Sequence, residues 1–326
     1  MAKVSNELEK NLGSSLKLSE PMAAYTNFKI GGPAKYLLEA KTSDELAKAV
    51  QVAHELNLPL QILGNGCNVL VSDQGFSGLV VIAKNMQWKI TGTTVWAEAG
   101  VNLGFLVTKT VEAGLWGMEP MVAVPSTVGG AVYGNAGLPQ ITKGCIGDWV
   151  CEVTALARDK IIKLNRQQCQ FSYRNSIFKQ TKDVILDVTL ELVAGDKETS
   201  RALIKKYVAQ RKGQPYHYPS SGCIFTNVEV TSRKQTKEIK QKLDDRPKLD
   251  EFLAKGQLPA SWLIDQAELK GKKMGKVQVS DDHANYIVNM GGGTAEEVVM
   301  LISYIKQQVR DKFGIELREE VQYIGF

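Results

Sequence analysis

The sequence predicts an α+β fold in two domains, and three observations support that class. Apolar residues recur at helical spacing over 42–57, directly before two short apolar runs, 58–63 and 78–83, that flank a glycine-rich loop. Residues 183–195 partly alternate apolar and polar side chains, as a half-buried strand does. A charged helical segment over 196–212 then leads away from this strand. Helices and strands are therefore mixed in one N-terminal region, and a different unit follows it.

The helices are predicted from their start and stop signals. The helix over 42–57 opens on Thr and Ser, and a second helix, over 102–114, ends on a glycine. The clearest helix covers 294–314, because Thr294 and Glu297 form a capping box at its start. Its apolar face and its closing glycine are Val298, Leu301, Ile302, Ile305, Val309 and Gly314.

The remaining segments set the domain boundary. A further strand is predicted over 150–157. The segment 233–257 is highly charged and contains a proline, so we expect a surface excursion rather than core. The boundary is placed near residue 200, giving a first domain over 1–200, with its core at about 26–196, and a second domain over 201–326.

Composition and charge exclude several classes of function. With 44% hydrophobic and 23% charged residues, the chain has the composition of a soluble globular protein. Its formal net charge of +5 is spread out, with no basic arm and no interleaved aromatic residues. This pattern argues against nucleic acid as a partner, while an anionic small molecule stays possible. The N-terminus has no apolar signal segment and no run reaches a membrane-spanning length, so neither secretion nor membrane insertion is indicated.

Cysteine and histidine usage points to a reduced compartment and to no metal. The five cysteines are odd in number and form no CxxC pair, which favours free thiols in a cytoplasmic protein. The three histidines lie at no ligand spacing, so a metal site built by the protein is not expected. The cysteines are Cys67, Cys145, Cys151, Cys169 and Cys223.

Two glycine-rich loops are the strongest local signals. In the first, Gly64 and Gly66 follow a predicted strand, where backbone N–H groups can converge on phosphate oxygens. This loop is not a Rossmann fingerprint, because Val69 stands where a third glycine would be and a strand follows. A structural tight turn is the alternative. A second loop over 124–137 carries four more glycines after Pro125, and two such loops in one domain suggest a dinucleotide. Its alternative is a packing junction.

Several polar residues stand in unusual surroundings. Tyr173 and Arg174 lie side by side among aromatic residues, where a guanidinium favours an anion, although a solvated arginine is the simpler interpretation. Glu319 and Glu320 precede an apolar terminal segment, and in a strand one of them faces inward. A surface charge pair is the alternative there. Cys223 lies in a turn of small residues, within YPSSGCIFTN.

Taken in order, seven motifs resemble the UDP-N-acetylenolpyruvoylglucosamine reductase family, also called the MurB family. Several spaced motifs in one order are far more specific than a single glycine loop. They are YTNFKIGGPA (25–34), LGNGCNVLVSD (63–73), VPSTVGGAVYGNAG (124–137), FSYRNSIFK (171–179), SSGCIFTN (220–227), WLIDQAELKGKKMGKVQVSDDHANYIVN (262–289) and LREEVQYIG (317–325).

The resemblance implies a vanillyl-alcohol-oxidase-type (PCMH-type) FAD-binding domain, followed by a smaller α+β substrate-binding domain whose C-terminal segment returns to the active site. It further implies non-covalent FAD, NADPH as reductant and a UDP-sugar as substrate, in peptidoglycan synthesis, with no obligate protein partner. The cofactor role falls on residues of both loops: Gly64, Asn65, Gly66, Cys67, Asn68, Ser126, Thr127, Gly129, Gly130 and Gly137.

The resemblance also implies a catalytic trio. The family's catalytic arginine falls on Arg174, its catalytic carboxylate on Glu320, and its proton donor, typically the serine of GSxF, on Cys223. A thiol of ordinary pKa, about 8.5, is mostly protonated at pH 7 and can therefore donate. The alternative for Cys223 is a small cysteine that replaces serine without consequence. The substrate-binding residues implied are Tyr173, Arg211 and Asn227.

Two other functions stay open at this stage. One is an FAD-dependent oxidase or dehydrogenase of the same fold that acts on another substrate, in which Cys67 is the candidate for covalent flavin attachment. The other is a nucleotide-binding protein without catalysis. The joint presence of Arg174, Cys223 and Glu320 argues against the second, because drift is expected to lose at least one of them.

Overall fold

The computed structural model describes residues 2–13, 15–138, 144–210, 214–215, 217–243 and 246–326. The helices within these ranges are α1 Ala2–Leu12, α2 Ser43–Glu55, α3 Leu103–Glu112, α4 Val128–Gly134, α5 Phe178–Thr181, α6 Lys197–Gln210, α7 Arg233–Leu243, α8 Leu249–Ala254, α9 Ala260–Gln266 and α10 Ala295–Phe313. None of them combines the length and the apolar character that crossing a membrane requires.

The strands of the same ranges are mostly short. They are β1 Lys17–Pro21, β2 Pro33–Ala40, β3 Leu60–Leu63, β4 Val69–Val71, β5 Phe76–Ala83, β6 Trp88–Thr91, β7 Thr94–Glu98, β8 Leu115–Trp116, β9 Val150–Ala157, β10 Lys160–Asn165, β11 Val184–Glu191, β12 Val193–Ala194, β13 Val228–Glu229, β14 Gln257–Leu258, β15 Lys273–Met274, β16 Val277–Val279, β17 Ile287–Asn289 and β18 Gln322–Ile324.

The chain divides into two compact units that are discontinuous in sequence. The first unit comprises Met1–Glu20, Ala34–Asn65 and Phe76–Lys212, and the second comprises Pro21–Pro33, Gly66–Gly75 and Gly213–Phe326. A single boundary near residue 200 cannot express this division, because two short N-terminal segments belong to the second unit. The domain boundaries at 1–200 and 201–326 stay a prediction from the sequence.

The first unit contains a four-stranded sheet with the order β1-β2-β5-β3, in which β2 and β3 both run parallel to β5. The central strand β5 is buried from Gly78 to Ala83, as is typical of a parallel strand covered on both faces. Helix α2 contributes its buried apolar face to the same core. It begins as predicted, because the Thr42 hydroxyl oxygen accepts the Glu45 N–H at 3.1 Å.

A second sheet of the first unit is antiparallel and has the order β10-β9-β11-β7-β6. The predicted strands 150–157 and 183–195 are its members β9 and β11, the second of which stops at Glu191. Apolar side chains from β7, β9 and β11 form one core with those of helices α3 and α4. This core holds α4 and the loop before it in place.

The core of the second unit is built on α10. The capping box of Thr294 and Glu297 forms as predicted, and Gly314 ends the helix with φ of +64°. The Asp73 carboxylate also accepts the N–H groups of Ala295 and Glu296, at 2.9 and 3.0 Å. An anion at this end complements the helix dipole. The predicted apolar face is buried throughout: Val298, Leu301, Ile302, Ile305 and Val309.

The prediction that 233–257 is a surface excursion outside the core is wrong. The segment forms α7 and α8, and Ile239, Leu243 and Leu249 are buried in the same core as α10. The high charge conceals the pattern, because Ile239 and Leu243 are four residues apart and share one face of α7, while lysines cover the other faces.

Candidate active site

The first glycine-rich loop, Gly64–Asn68, joins β3 to β4. Gly66 adopts φ of +60°, and a Cβ there would lie 2.1 Å from the Tyr25 carbonyl oxygen, so only glycine fits. The N–H groups of Asn65, Gly66 and Asn68 donate to no acceptor in the part of the chain that the structure describes. Successive N–H groups of this kind suit a phosphate.

The second glycine-rich loop packs against Gly64, and both belong to the first unit. A Cβ on Gly64 would lie 2.3 Å from the Thr127 hydroxyl oxygen, so the two segments pack in direct contact. Thr127 in turn caps α4, because its hydroxyl oxygen accepts the Gly130 N–H at 3.2 Å. Gly129 packs as closely, since a Cβ there would lie 2.7 Å from that of Ala99. Glycine at these positions therefore permits the loops to pack.

The backbone donors at the start of α4 are already engaged by the protein. Val128 donates to the Val101 carbonyl at 2.8 Å, and Gly129 donates to that of Ala99 at 2.9 Å. The Ser126 hydroxyl donates to the Thr127 carbonyl at 2.9 Å. The turn over 126–130 can therefore serve a ligand through its small size, whereas the loop over 64–68 retains N–H donors.

Arg174 lies in a tight turn of the first unit. Ser172 and Asn175 close this turn through two reciprocal backbone hydrogen bonds of 3.1 Å, and Arg174 itself adopts φ of +52°. Its Nη1 donates to the Gly137 carbonyl at 3.0 Å. Its own carbonyl accepts the Lys179 ammonium at 2.8 Å. Both the backbone and the guanidinium are therefore fixed by the protein.

The guanidinium of Arg174 has an aromatic ring and a thiol beside it. Its central carbon lies 5.5 Å from the centre of the Tyr173 ring, which is cation–π range. Burial raises the pKa of the Cys145 thiol, and the positive charge of Arg174 opposes that rise. Tyr173 and Arg174 thus lie together, as their adjacency in the sequence suggests.

Asn135 and Gly137 connect this turn to α4. Asn135 follows the helix with φ of +43°, and its Nδ2 donates to the Ser172 carbonyl at 2.8 Å. Its Oδ1 accepts the Gly147 N–H at 3.1 Å. Gly137 was predicted to bind the cofactor; in the structure its carbonyl holds Arg174, and a Cβ there would lie 2.2 Å from the Gly144 carbonyl oxygen.

Cys223 and Glu320 lie on neighbouring extended segments of the second unit. Cys223 pairs with Tyr286 in an antiparallel bridge, and the Ile224 N–H donates to the Asn285 carbonyl at 2.8 Å. On the other side, the Glu320 N–H donates to the Ile224 carbonyl at 2.7 Å. Cys223 directly precedes Ile224, and Ile224 is hydrogen-bonded to Glu320. The backbone of Ile224 therefore connects the two predicted catalytic residues.

The two adjacent carboxylates separate. Glu319 accepts the Lys306 ammonium of α10 at 2.7 Å and is therefore bound in an ion pair. Adjacent residues of an extended segment point to opposite faces, so the Glu320 side chain points away from that pair. The Glu320 carbonyl accepts the side-chain amides of Asn68 and Gln322, at 3.2 and 3.0 Å.

The predicted substrate-binding residues have different outcomes. Asn227 is engaged by the protein: its Oδ1 accepts the Ala260 N–H at the start of α9, at 3.2 Å, and its Nδ2 donates to the Gln257 side chain at 3.3 Å. Arg211 lies outside the described residues. Tyr173 lies beside Arg174.

Sequence reasoning did not single out Asn135 and Asn285. Both are buried, and both bind the backbone of a segment that carries a predicted catalytic residue. Each lies inside one of the motifs quoted above. A carboxamide between apolar neighbours must find partners when it is buried, and this is the signal that could have drawn attention to Asn285.

Comparison with known proteins covers the whole chain. The model of the C-terminal domain of UDP-N-acetylenolpyruvoylglucosamine reductase matches residues 214–324, and a model described as an FAD binding domain matches 34–164. The enzyme of that name from Carboxydothermus hydrogenoformans is 34% identical over 99% of both chains. The one from Anoxybacillus flavithermus is 35% identical over 100% of this chain and 99% of its own.

The chain belongs to the UDP-N-acetylenolpyruvoylglucosamine reductase family. A solved member, from Thermus caldophilus, has a TM-score of 0.74 and 29% identity, covering 95% of this chain and 98% of its own. This likeness and the FAD-binding match confirm the predicted α+β fold of the vanillyl-alcohol-oxidase type. As a family member the chain is an NADPH-dependent flavin oxidoreductase whose cofactor is FAD.

The residues of the first loop fit this cofactor. Asn65, Gly66 and Asn68 offer N–H groups that no described residue accepts, as a diphosphate requires. The second loop adds small residues and the Thr127 hydroxyl, and it packs against the first through Gly64.

Proposed function

We propose that this chain reduces UDP-N-acetylglucosamine enolpyruvate to UDP-N-acetylmuramate at the expense of NADPH, in peptidoglycan synthesis. The observation that carries the proposal is 34% identity over 99% of a relative of that name. The arrangement of Cys223 beside Glu320 in the second unit supports it. We place the reaction in the cytoplasm, because the odd number of cysteines without a CxxC pair favours reduced thiols.

Cys223 is proposed as the proton donor. Addition of hydride at C3 of the enolpyruvyl group leaves negative charge at C2, spread into the neighbouring carboxylate as an enolate. The S–H bond of Cys223 then breaks as a C–H bond forms at C2, and the thiolate left behind regains a proton from water before the next cycle. A positioned general acid of this kind contributes about 10²- to 10⁴-fold in rate.

Arg174 and Glu320 are proposed to stabilise the enolate. A guanidinium fixed by the Gly137 carbonyl needs no reorganisation when negative charge develops near it. Glu320 acts either as a carboxylic acid or through a hydrogen bond, because an ionised carboxylate facing an enolate would repel it. Its neighbour Glu319 is paired with Lys306, so Glu319 is the weaker candidate for this role.

FAD is proposed to be held non-covalently by Gly64, Asn65, Gly66, Cys67, Asn68 and by the turn Ser126, Thr127, Gly129 and Gly130. When bound, it supplies the hydride from its N5, after reduction by NADPH. Gly66 and Gly64 allow the loops their close packing, and the N–H groups of Asn65, Gly66 and Asn68 bind the diphosphate.

Tyr173, Arg211 and Asn227 are proposed to contact the UDP-sugar. Tyr173 has the best support, because its ring lies beside the Arg174 guanidinium. The Asn227 side chain holds Ala260 and Gln257 with one acceptor site and one N–H, and a carboxamide has two of each.

The function is tested with purified protein, NADPH and UDP-N-acetylglucosamine enolpyruvate. Without oxygen, NADPH beyond the equivalent that reduces the bound flavin should be oxidised only when this substrate is present. One UDP-N-acetylmuramate should form per NADPH in turnover, as measured by absorbance and mass spectrometry. NADPH oxidation that ignores the substrate, or oxidation of an alcohol with release of hydrogen peroxide, would contradict the proposal and favour an oxidase of the same fold.

A further inference from the structure

Asn285 binds the backbone of the residue two positions after Cys223 through both ends of its side chain. The Phe225 N–H donates to Asn285 Oδ1 at 3.0 Å, and Asn285 Nδ2 donates to the Phe225 carbonyl at 2.8 Å. Asn285 is 4% exposed and Phe225 is 1% exposed, so water does not reach these groups. The carboxamide therefore takes the place of a strand partner for Phe225.

The same residue also fixes Ile224. The Asn285 carbonyl accepts the Ile224 N–H at 2.8 Å, while the Ile224 carbonyl accepts the Glu320 N–H at 2.7 Å. Asn285 thus makes three hydrogen bonds to Ile224 and Phe225, the two residues that follow Cys223. The segment that carries Glu320 is bonded to Ile224 as well. A loss of the side-chain bonds would loosen this segment on its buried side.

We propose that Asn285 is a positioning residue for proton transfer: its side chain sets the distance between the Cys223 thiol and the substrate carbon, and holds Glu320 in register. This inference rests on the function proposed above. The role differs from that of a general core contact, because among the described residues the carboxamide forms its hydrogen bonds with the segment that carries the thiol.

His283 secures Asn285 in turn. The Asn285 N–H donates to His283 Nδ1 at 3.3 Å, and the Ser280 hydroxyl oxygen accepts the His283 N–H at 3.3 Å. The imidazole ring also stacks edge to face on Tyr286, with ring centres 4.8 Å apart. Asn285 is therefore held at its backbone while its side chain holds Phe225.

Asn285→Asp tests the proposal, because aspartate has the same shape and replaces only the Nδ2 donor. When ionised, it sets an oxygen against the Phe225 carbonyl; when protonated, it restores the donor. Burial raises the pKa of such a carboxyl group, so the restored form is present at mildly acid pH. The segments that Asn285 contacts carry the titratable residues His283, Tyr286, Cys223, Glu319 and Glu320. Lys306, paired with Glu319, and Lys270, near His283, add positive charge. The wild type, measured in parallel, contains all of these groups.

Asn289→Asp is the matched control. Asn289 is 3% exposed, and the described partners of its side chain are also backbone groups: the Phe28 and Lys29 carbonyls and the N–H groups of Gly291 and Gly293. Among the described residues, its side chain makes no hydrogen bond to 218–227, and its backbone N–H donates to the Pro219 carbonyl at 2.9 Å. A loss of stability alone would affect both variants.

Each protein is reduced with NADPH and mixed anaerobically with substrate at pH 8 and pH 6. We expect Asn285→Asp to reoxidise about 10- to 100-fold more slowly than the wild type at pH 8 and to recover most of that loss at pH 6. Reduction by NADPH should change less than about twofold, since it involves no proton from Cys223. Asn289→Asp should reoxidise like the wild type. Equal rates for the two variants at pH 8, or a loss without recovery, would overturn the proposal.

Alkylation of Cys223 by iodoacetamide, read by mass spectrometry, needs no turnover. It should accelerate at pH 8 in Asn285→Asp and not in Asn289→Asp. If even the wild type fails to reoxidise with the substrate, the proposed function has failed, and the alkylation rates alone decide whether Asn285 positions the thiol. If Asn285→Asp loses its flavin at pH 8, Asn285→Ser replaces it and should be slow at both pH values; a fast Asn285→Ser would overturn the proposal.

Discussion

The family resemblance implies that Cys223 takes the place of a serine, and we propose that this exchange changes the acid and not the reaction. A thiol is more acidic than an alcohol, and it is mostly protonated at pH 7 when its pKa is ordinary. The thiol is carried by a segment whose neighbours are fixed from both sides, by Asn285 and by Glu320. The proposed site therefore uses a reactive thiol whose backbone segment is fixed by hydrogen bonds on both sides.

Cys223→Ala should leave reduction of the flavin by NADPH intact and slow its reoxidation by the substrate about 10²- to 10⁴-fold. Cys223→Ser should retain much more of the rate, because a serine hydroxyl can also donate a proton and the resemblance implies serine as the family's donor here. Rapid-mixing absorbance of the flavin measures both steps. Cys151→Ala, at an exposed cysteine, is the control and should match the wild type. An alanine variant that reoxidises at the wild-type rate would remove Cys223 from the mechanism.

His283 should make the protein acid-sensitive. Burial, and to a lesser degree the nearby Lys270 ammonium, lower the pKa of this histidine below its ordinary value. The unfolded chain therefore binds the proton first, so this contribution to stability is complete above about pH 6.5 and is lost as the pH falls below it. Protonation also removes the acceptor for the Asn285 N–H.

His283→Asn keeps an acceptor oxygen near the Nδ1 position and cannot be protonated. Its free energy of unfolding should fall less than that of the wild type between pH 7 and pH 5, as measured by urea unfolding at each pH. His217→Asn, at an exposed histidine, is the matched control. Equal pH dependence in His283→Asn and the wild type would contradict the assignment.

At the scale of elements, the loop over 64–68 combines a strained backbone with a close contact. Gly66 and Gly92 share φ of +60°, but a Cβ on Gly92 would meet no atom within 4 Å, whereas one on Gly66 would meet the Tyr25 carbonyl. Gly92→Ala should cost about 1 kcal/mol. Gly66→Ala should cost more and should lower the flavin content of the purified protein, as measured by absorbance. Equal flavin content in the two variants would show that the contact with Tyr25 is not needed for the loop.

Helix α7 gives a test of the corrected interpretation of 233–257. Ile239 is 5% exposed, and its replacement by alanine should lower the free energy of unfolding by about 2–5 kcal/mol. Lys237→Ala, on an exposed face of the same helix, should change it by less than about 0.5 kcal/mol. Denaturant unfolding of both variants measures the difference. If both variants lowered the free energy of unfolding by similar small amounts, the burial of α7 in the core would be contradicted.

Local patterns in the sequence predicted the elements that carry their own signals. Helix α10 was predicted with its cap, its buried face and its closing glycine, because all three depend on residues close in sequence. The face of α7 was missed, because charge dominates its composition although two apolar residues lie at helical spacing. The hydrogen bonds of Asn135 and Asn285 were missed as well, since their partners lie 37 and 60 residues away.

At the scale of the molecule, distant segments complete each unit. Strand β4 pairs with β18, joining Val69–Val71 to Gln322–Ile324, and no local pattern could predict that pairing. The pairing holds the C-terminal segment in the second unit, beside the segment of Cys223, and so allows Glu320 to reach its place. Only the resemblance to a family anticipated that the segments of Cys223 and Glu320 are neighbours, because a spacing of nearly a hundred residues carries no physical signal.

The most direct test of the central claim is a single turnover of the wild-type protein. The bound flavin is reduced with one equivalent of NADPH without oxygen and then mixed with UDP-N-acetylglucosamine enolpyruvate, while flavin absorbance is followed. We predict that the oxidised flavin spectrum returns rapidly and that one equivalent of UDP-N-acetylmuramate forms. A flavin that stays reduced with this substrate and reoxidises only when oxygen is admitted would contradict the account.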